Sequence, residues 1–413
     1  MPETSRLNQI FYVLFSLIIS TVIFLPSFRI QFGLVEIAVL ITVYAGCFFK
    51  TLLPCIKKMA IAIIIYGLMC FLFGIPFQFK LGFLHPIMTL WIWVFPILMC
   101  ACLLERNSIR EQQIIIGYNM ILLIVIIVAT IKAMQIFPNI MRMMTSGATE
   151  ATLAASMSKI NVGGFGIAYG CGAILLTLTA LLVNSDNIRG ITKLMLVSGI
   201  GICGFIVFKA QFTTLLGLCV IGIALILYMS LDSPGLKILC VIVALFLLTA
   251  TQPLLHFAIE IYQGTQVAEH LQDLYVSWFE GEQYHSYRNE YFLNGLNLFL
   301  KSPILGIDTT TPENHFAYIA SHSTVLGVAI RSGLIGCICY FYSYWLAAKD
   351  KIQECPSPER TRIYVPLIAY FLVLSIMNPT ESDVFNYCVG FISLAIASLL
   401  TKQNNDTEET LEE

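Results

Sequence analysis

The feature that most constrains this chain is a series of apolar runs too long and too frequent for a water-soluble core. Residues 61–74, 120–129 and 241–250 carry no charge at all, and short charged segments separate such runs along the sequence. A helix needs about 20 mostly apolar residues to cross the hydrocarbon core, where only helices and closed barrels satisfy every backbone group. The runs are continuous rather than alternating with period two, which argues against a barrel. Only 12% of the 413 residues are charged, about half the share in soluble domains. The expected fold class is an all-α polytopic membrane protein.

Twelve spans are expected. Four precede residue 105, at 10–26, 33–49, 60–74 and 83–104. Five follow, at 113–137, 163–183, 194–208, 212–229 and 236–257, and the last three lie at 323–347, 363–377 and 384–400. Residues 1–257 thus hold spans one to nine, 258–322 a long loop, 323–401 the final spans and 402–413 an acidic tail. The stretch 10–26 has no small-residue cleavage site after it and reads as a retained span. The division at Lys209-Ala210-Gln211 is the least marked, because apolar sequence resumes on both sides.

Charge sets the expected orientation. With the N-terminus cytoplasmic, fourteen Lys and Arg residues fall in inside segments and seven in outside segments, leaving out Lys132 and Arg331 within spans. That bias follows the positive-inside rule and places both termini in the cytoplasm. The formal net charge of -2 and the lack of a basic stripe give no reason to expect nucleic acid. Most of the thirteen cysteines sit inside apolar runs, where they act as small hydrophobes, and their spacing suggests no metal site.

Two outside loops are long, 138–162 and 258–322. The second holds aromatic and aliphatic residues at helical spacing, so it is expected to be ordered. Tyr287–Leu300 reads as an amphipathic helix, with Phe292 and Phe299 on the face of Arg288 and Tyr291 and Leu298 flanking it. Lys301-Ser302-Pro303 ends it. Arg288 near its start could grip a phosphate bidentately; the plainer reading is a pair with Glu282 or Glu290, or snorkelling to headgroups. Eight acidic residues between Glu260 and Glu313 face only Arg288 and Lys301. That balance suits neutral, hydroxyl-rich material better than anionic headgroups.

His322 stands at the start of the tenth span, where the plain alternative is a satisfied structural histidine. Arg331 lies nine residues on, about 13 Å deeper at 1.5 Å rise per residue. A charge at that depth is a functional candidate by default, yet the offset turns it away from His322, so it could equally hold the bundle together. Lys209 and Gln211 sit at an outer junction, Lys132 is placed to snorkel, and Glu36 is a further candidate. Glu381 and Asp383, on the turn before the last span, are expected to meet the outer face of the same cavity.

Taken together, Arg288, the stretch GLNLFLKSPILGI from Gly295, His322 followed by Ser323, and RSGLIG from Arg331 resemble the bacterial O-antigen polymerase and O-antigen ligase superfamily. The motif likeness covers Tyr287–Gly336, with Gly333-Leu334-Ile335-Gly336 as its last element. Topology and the single long outer loop extend it. The resemblance implies a GT-C-like glycosyltransferase at the outer face of the inner membrane, using a polyprenyl-diphosphate-linked glycan and neither cofactor nor metal. By that implication Arg288 binds the diphosphate and His322 serves the attacking hydroxyl as general base. Lys209, Arg331, Tyr287 and Tyr291 are the expected substrate-binding residues, membrane lipid is the surrounding partner, and a chain-length regulator protein is an expected one.

One departure stands out. Many members of the superfamily carry an arginine where this chain has Phe212, in KAQFTTLLG. Lys209, one turn away, is the nearest substitute, with Arg331 and Arg142 as alternatives. The His-Ser pair and the missing arginine favour a polymerase over a ligase. A lipid-linked glycan transporter is the competing class, against which stand the absence of an internal repeat and the clustering of polar groups at one face.

Overall fold

The structure is a computed structural model that describes residues 6–400 apart from 49, 75–83, 106–108, 139, 145–155, 185–189, 265, 277–278, 280–286, 309–322 and 356. The described residues form helices and their connections, with no strand. In order these are α1 (Arg6–Phe24), α2 (Pro26–Arg29), α3 (Leu34–Phe48), α4 (Leu53–Met69), α5 (Leu84–Glu105), α6 (Ile109–Ile136) and α7 (Ile140–Met143). Then come α8 (Phe165–Asn184), α9 (Gly190–Lys209), α10 (Thr213–Ser230), α11 (Pro234–Thr249), α12 (Thr251–Ile261), α13 (Gln266–Tyr275) and α14 (Tyr287–Lys301). The series closes with α15 (Thr324–Glu354), α16 (Ser357–Met377) and α17 (Asp383–Tyr387), which runs on through a π-helical turn, Cys388–Ser393.

Ten of the described helical segments are long and apolar enough to cross a membrane, so the chain is a multi-pass membrane protein. The second and ninth expected spans correspond to shorter apolar helices, Leu34–Phe48 and Pro234–Val243. The ninth differs most from expectation. The run read as one span through residue 257 divides at Ala250 into α11 and α12. Pro253 explains the restart, since proline lacks the N–H that a helix interior needs but fits a first turn. The narrow division at Lys209-Ala210-Gln211 is real: Gln211 takes a left-handed φ of 57° and Phe212 is extended, which turns the chain between α9 and α10.

Helix α8 forms the centre and is buried along nearly its whole length, while α9 and α10 beside it leave most of their surface exposed. The segment from Asp383 packs against α8, α5 and α1, and α15 lies along α4 and against α5 and α16. Buried polar groups lock this arrangement. The Tyr387 hydroxyl sits 2.6 Å from both Ser20 Oγ and Asn119 Oδ1, joining α17, α1 and α6. Where α5 and α15 end together, Lys351 donates to Glu105 at 2.9 Å and to Glu354 at 2.8 Å.

The helix α14 forms within the residues expected for it and stops at Lys301. Its buried side differs from the expected one. Leu298 is 4% exposed and packs with Leu326 and Ile330 of α15, whereas Phe292 remains 38% exposed. The inward side therefore takes in Gly295, Leu298 and Phe299, which packs against the same cluster, and leaves out Phe292.

A cavity at the end of the bundle opposite Lys351

The residues after α14 dock into a break in α15. Gly333 interrupts that helix with φ 63° and ψ -174°, so backbone groups around it lose their helical partners. Residues 303–307 replace them: Leu334 N–H donates to the Pro303 carbonyl at 2.8 Å, and Ile307 N–H donates to the Ile330 carbonyl at 2.8 Å. Two glycines make the approach feasible. A Cβ on Gly306 would stand 2.7 Å from the Arg331 carbonyl oxygen, and one on Gly333 would collide with the Ile304 carbonyl. Both also have positive φ, which glycine adopts without a steric cost.

The start of α15 is held by a second clamp. Ser323 Oγ caps the helix by accepting from Leu326 N–H at 3.2 Å. The Thr324 hydroxyl accepts from Thr380 N–H at 2.7 Å and lies 3.3 Å from the Asn378 carbonyl oxygen, to which Thr324 N–H also donates. Asn386 Nδ2 ties the same turn from below, donating to the Ser382 carbonyl at 3.0 Å. Every one of these residues is buried or nearly so, and the clamp fixes the course of the 378–382 connection.

That connection lines a cavity of about 540 Å³. Its other walls come from α2 with Pro26 and Arg29, the first turns of α5 with His85, Thr89 and Trp93, and the segment from Ser158 to Ile167. Among the described lining residues the ionisable ones are Arg29, His85, Glu381 and Asp383. Arg29 Nε donates to Asp383 Oδ2 at 2.6 Å, and Trp93 Nε1 donates to Oδ1 of the same carboxylate at 3.0 Å. Ser382 caps α17, its Oγ accepting from Phe385 N–H at 3.5 Å.

Behind the wall stands Arg331. Its guanidinium donates to the Tyr66 hydroxyl and lies 3.6 Å from Glu381 Oε1, with Tyr66 also presenting its ring at 5.8 Å. Burial pushes the Glu381 carboxyl above the ordinary glutamate range, and Arg331 pulls it partway back. The buried cation is thus met by an aromatic hydroxyl, a ring face and a carboxylate, which is how a charge at this depth is tolerated.

The sequence-predicted residues distribute unevenly. Glu381 and Asp383 line the cavity described above. Arg331 backs it through Glu381. Lys209 is exposed at the end of α9, and Phe212 packs against Tyr169 with ring centroids 5.6 Å apart. Tyr291 is half-buried on α14, and Tyr287 and Arg288 lie in its first turn. His322 lies outside the described residues, immediately before the clamped Ser323. Sequence reasoning missed Arg29, His85 and Trp93. The signal that could have found Arg29 is the scarcity of charge at this end: one arginine after the first span and one aspartate before the last.

Comparison with protein-family models, with curated proteins and with solved structures finds no match to the chain.

Proposed function

We propose that this protein is a GT-C-like polymerase with twelve membrane spans that joins polyprenyl-diphosphate-linked glycan units of O-antigen or a related surface polysaccharide at the outer face of a bacterial inner membrane. The acceptor sugar hydroxyl attacks the anomeric carbon of the donor glycan, the bond to the diphosphate breaks, and polyprenyl diphosphate leaves. His322 takes the hydroxyl proton as general base. Arg288 steadies the charge that builds on the leaving diphosphate, with Lys209, Arg331, Tyr287 and Tyr291 assisting in substrate binding.

The observation that carries this reading is the interlock at Gly333. The two stretches behind the superfamily resemblance are joined by backbone hydrogen bonds: Leu334 N–H donates to the Pro303 carbonyl, and Ile307 N–H donates to Ile330, just before Arg331. They join the helix bearing Arg288 to the helix that follows His322, so residues far apart in the motif belong to one unit.

The test is a surface-glycan gel of a deletion strain, with lipid-linked glycan extracted alongside. Loss of the long ladder with a single repeat still attached supports the polymerase. Long polymer stranded on its lipid carrier would instead mean a ligase acting on lipid A core or a protein. Complementation by His322→Ala should fail while the protein remains in the membrane, and normal output from that variant removes the general-base role.

One observation favours a second reading, a lipid-linked glycan transporter. Helix α15 is discontinuous at Gly333, two residues after Arg331, and broken helices beside charged groups are a feature of transporters. In that case the deletion would leave unpolymerised units on the cytoplasmic leaflet, protected from an external glycosidase in right-side-out vesicles.

A further inference from the structure

The cavity at Arg29, Trp93 and Asp383 is poorly suited to a diphosphate. Arg29 is already engaged by Asp383 at 2.6 Å and by the Phe32 carbonyl at 3.4 Å. Arg331 stands behind Glu381 at 3.6 Å. Two guanidinium groups are therefore balanced by two carboxylates, and an entering anion would meet Glu381 and Asp383 in the same lining as Arg29. Like charges juxtaposed in this way select against a partner.

What the walls offer is different. The Trp93 indole N–H is used by Asp383, so toward a ligand this residue presents ring surface, and it is only partly buried. Each Asp383 oxygen accepts one hydrogen bond from the protein and keeps a further lone pair, since a carboxylate has about four acceptor positions. Thr89 donates its hydroxyl proton to the His85 carbonyl at 2.8 Å, which leaves its oxygen as an acceptor. The volume of about 540 Å³ falls within the usual range for small-ligand sites.

We infer that this cavity is a saccharide subsite, in which a neutral sugar ring lies against Trp93 and donates its hydroxyls to Asp383, Glu381 and Thr89. An aromatic surface beside well-placed acceptors matches a ring with one apolar face and a hydroxyl-bearing edge. Charge-assisted hydrogen bonds from hydroxyl to carboxylate supply the stronger contacts. Arg29 is a positioning residue: its hydrogen bond holds the Asp383 carboxylate in place. The inference rests on the proposed function for its role, that of the acceptor unit, and on the cavity alone for its chemistry.

The test uses the full chain in nanodiscs and saturation-transfer NMR, with methyl glycosides of glucose, galactose and N-acetylglucosamine as probes and methyl phosphate as the charged comparison. The expected result is saturation of ring protons in at least one glycoside, lost at least tenfold in Trp93→Leu and in Asp383→Asn, with no signal from methyl phosphate. Asp383→Asn keeps the shape of the side chain, so it serves where Trp93→Leu does not fold. No glycoside signal in the wild type, or equal signals in wild type and a folded variant, overturns the inference. So does a methyl phosphate signal that displaces the sugar. The surface-glycan gel of the deletion strain is scored separately: glycoside binding with an undiminished ladder retains the subsite and sinks the polymerase, and a lost ladder without glycoside binding does the reverse.

Discussion

Arg29 and Asp383 are separated by 354 residues and meet at 2.6 Å, with side chains only 25% and 18% exposed. The contact joins the short helix after the first span to the start of the last one and forms one wall of the cavity. Neutralising one partner leaves the other poorly solvated, which costs more than removing both. Arg29→Gln and Asp383→Asn are each expected to lower stability by about 1–3 kcal/mol, with the double variant well short of the sum. A double-mutant cycle on thermal unfolding in detergent checks this, and strict additivity would show that the pair is not coupled.

Gly333→Ala should be among the most damaging single changes in the chain. The added Cβ strains a left-handed residue, at a cost of about 1–3 kcal/mol, and it also meets the Ile304 carbonyl. The expected outcome is a large fall in melting temperature together with protease access between α14 and α15. Gly217→Ala, where nothing lies within 4 Å of the new methyl, should be silent in the same assay.

Glu381 gives a signed pH dependence. Its folded-state pKa lies above the ordinary value of 4.5, so only between that value and the raised one does the folded protein hold a proton that the unfolded chain releases. Stability is therefore expected to fall as pH rises from about 4.5 through the raised pKa and to level off above it. Glu381→Gln should flatten that slope. Arg331→Gln should shift the protonated-carboxyl infrared band of Glu381 to still higher pH, because Arg331 is the group that favours the charged form. A shift to lower pH would contradict the assignment.

Thr324→Val tests the clamp on the 378–382 connection. The replacement has nearly the same shape but leaves Thr380 N–H without its acceptor at 2.7 Å, a loss of about 1–3 kcal/mol for a buried donor. Thermal unfolding should register it. A variant as stable as wild type would mean that the connection is fixed elsewhere.

Much of the fold is legible in the sequence because the bilayer imposes a simple length-and-polarity rule. Ten of the expected spans correspond to helices that satisfy it, and even the narrow turn at Gln211 shows as three polar-to-small residues between apolar runs. Packing within the bundle is less legible. Lipid and protein neighbours both accept leucine, so the hydrophobic pattern of α14 could not say whether Phe292 or Leu298 points inward. The break at Gly333 depends on residues 303–307, about 30 positions earlier, and local propensity does not record such a partner. Glu381 and Asp383 announce themselves as charges on a short turn. Trp93 does not, because an aromatic residue inside a span is ordinarily packing.

The position of the segment beginning at Asp383 also bears on how the protein is made. It fits among α1, α5 and α8, yet leaves the ribosome after all of them. Until then Asn119, Ser20 and Arg29 lack Tyr387 and Asp383, the partners they meet in the folded chain. Insertion of this segment works as a keystone. A chain interrupted before it would leave those polar groups without these partners.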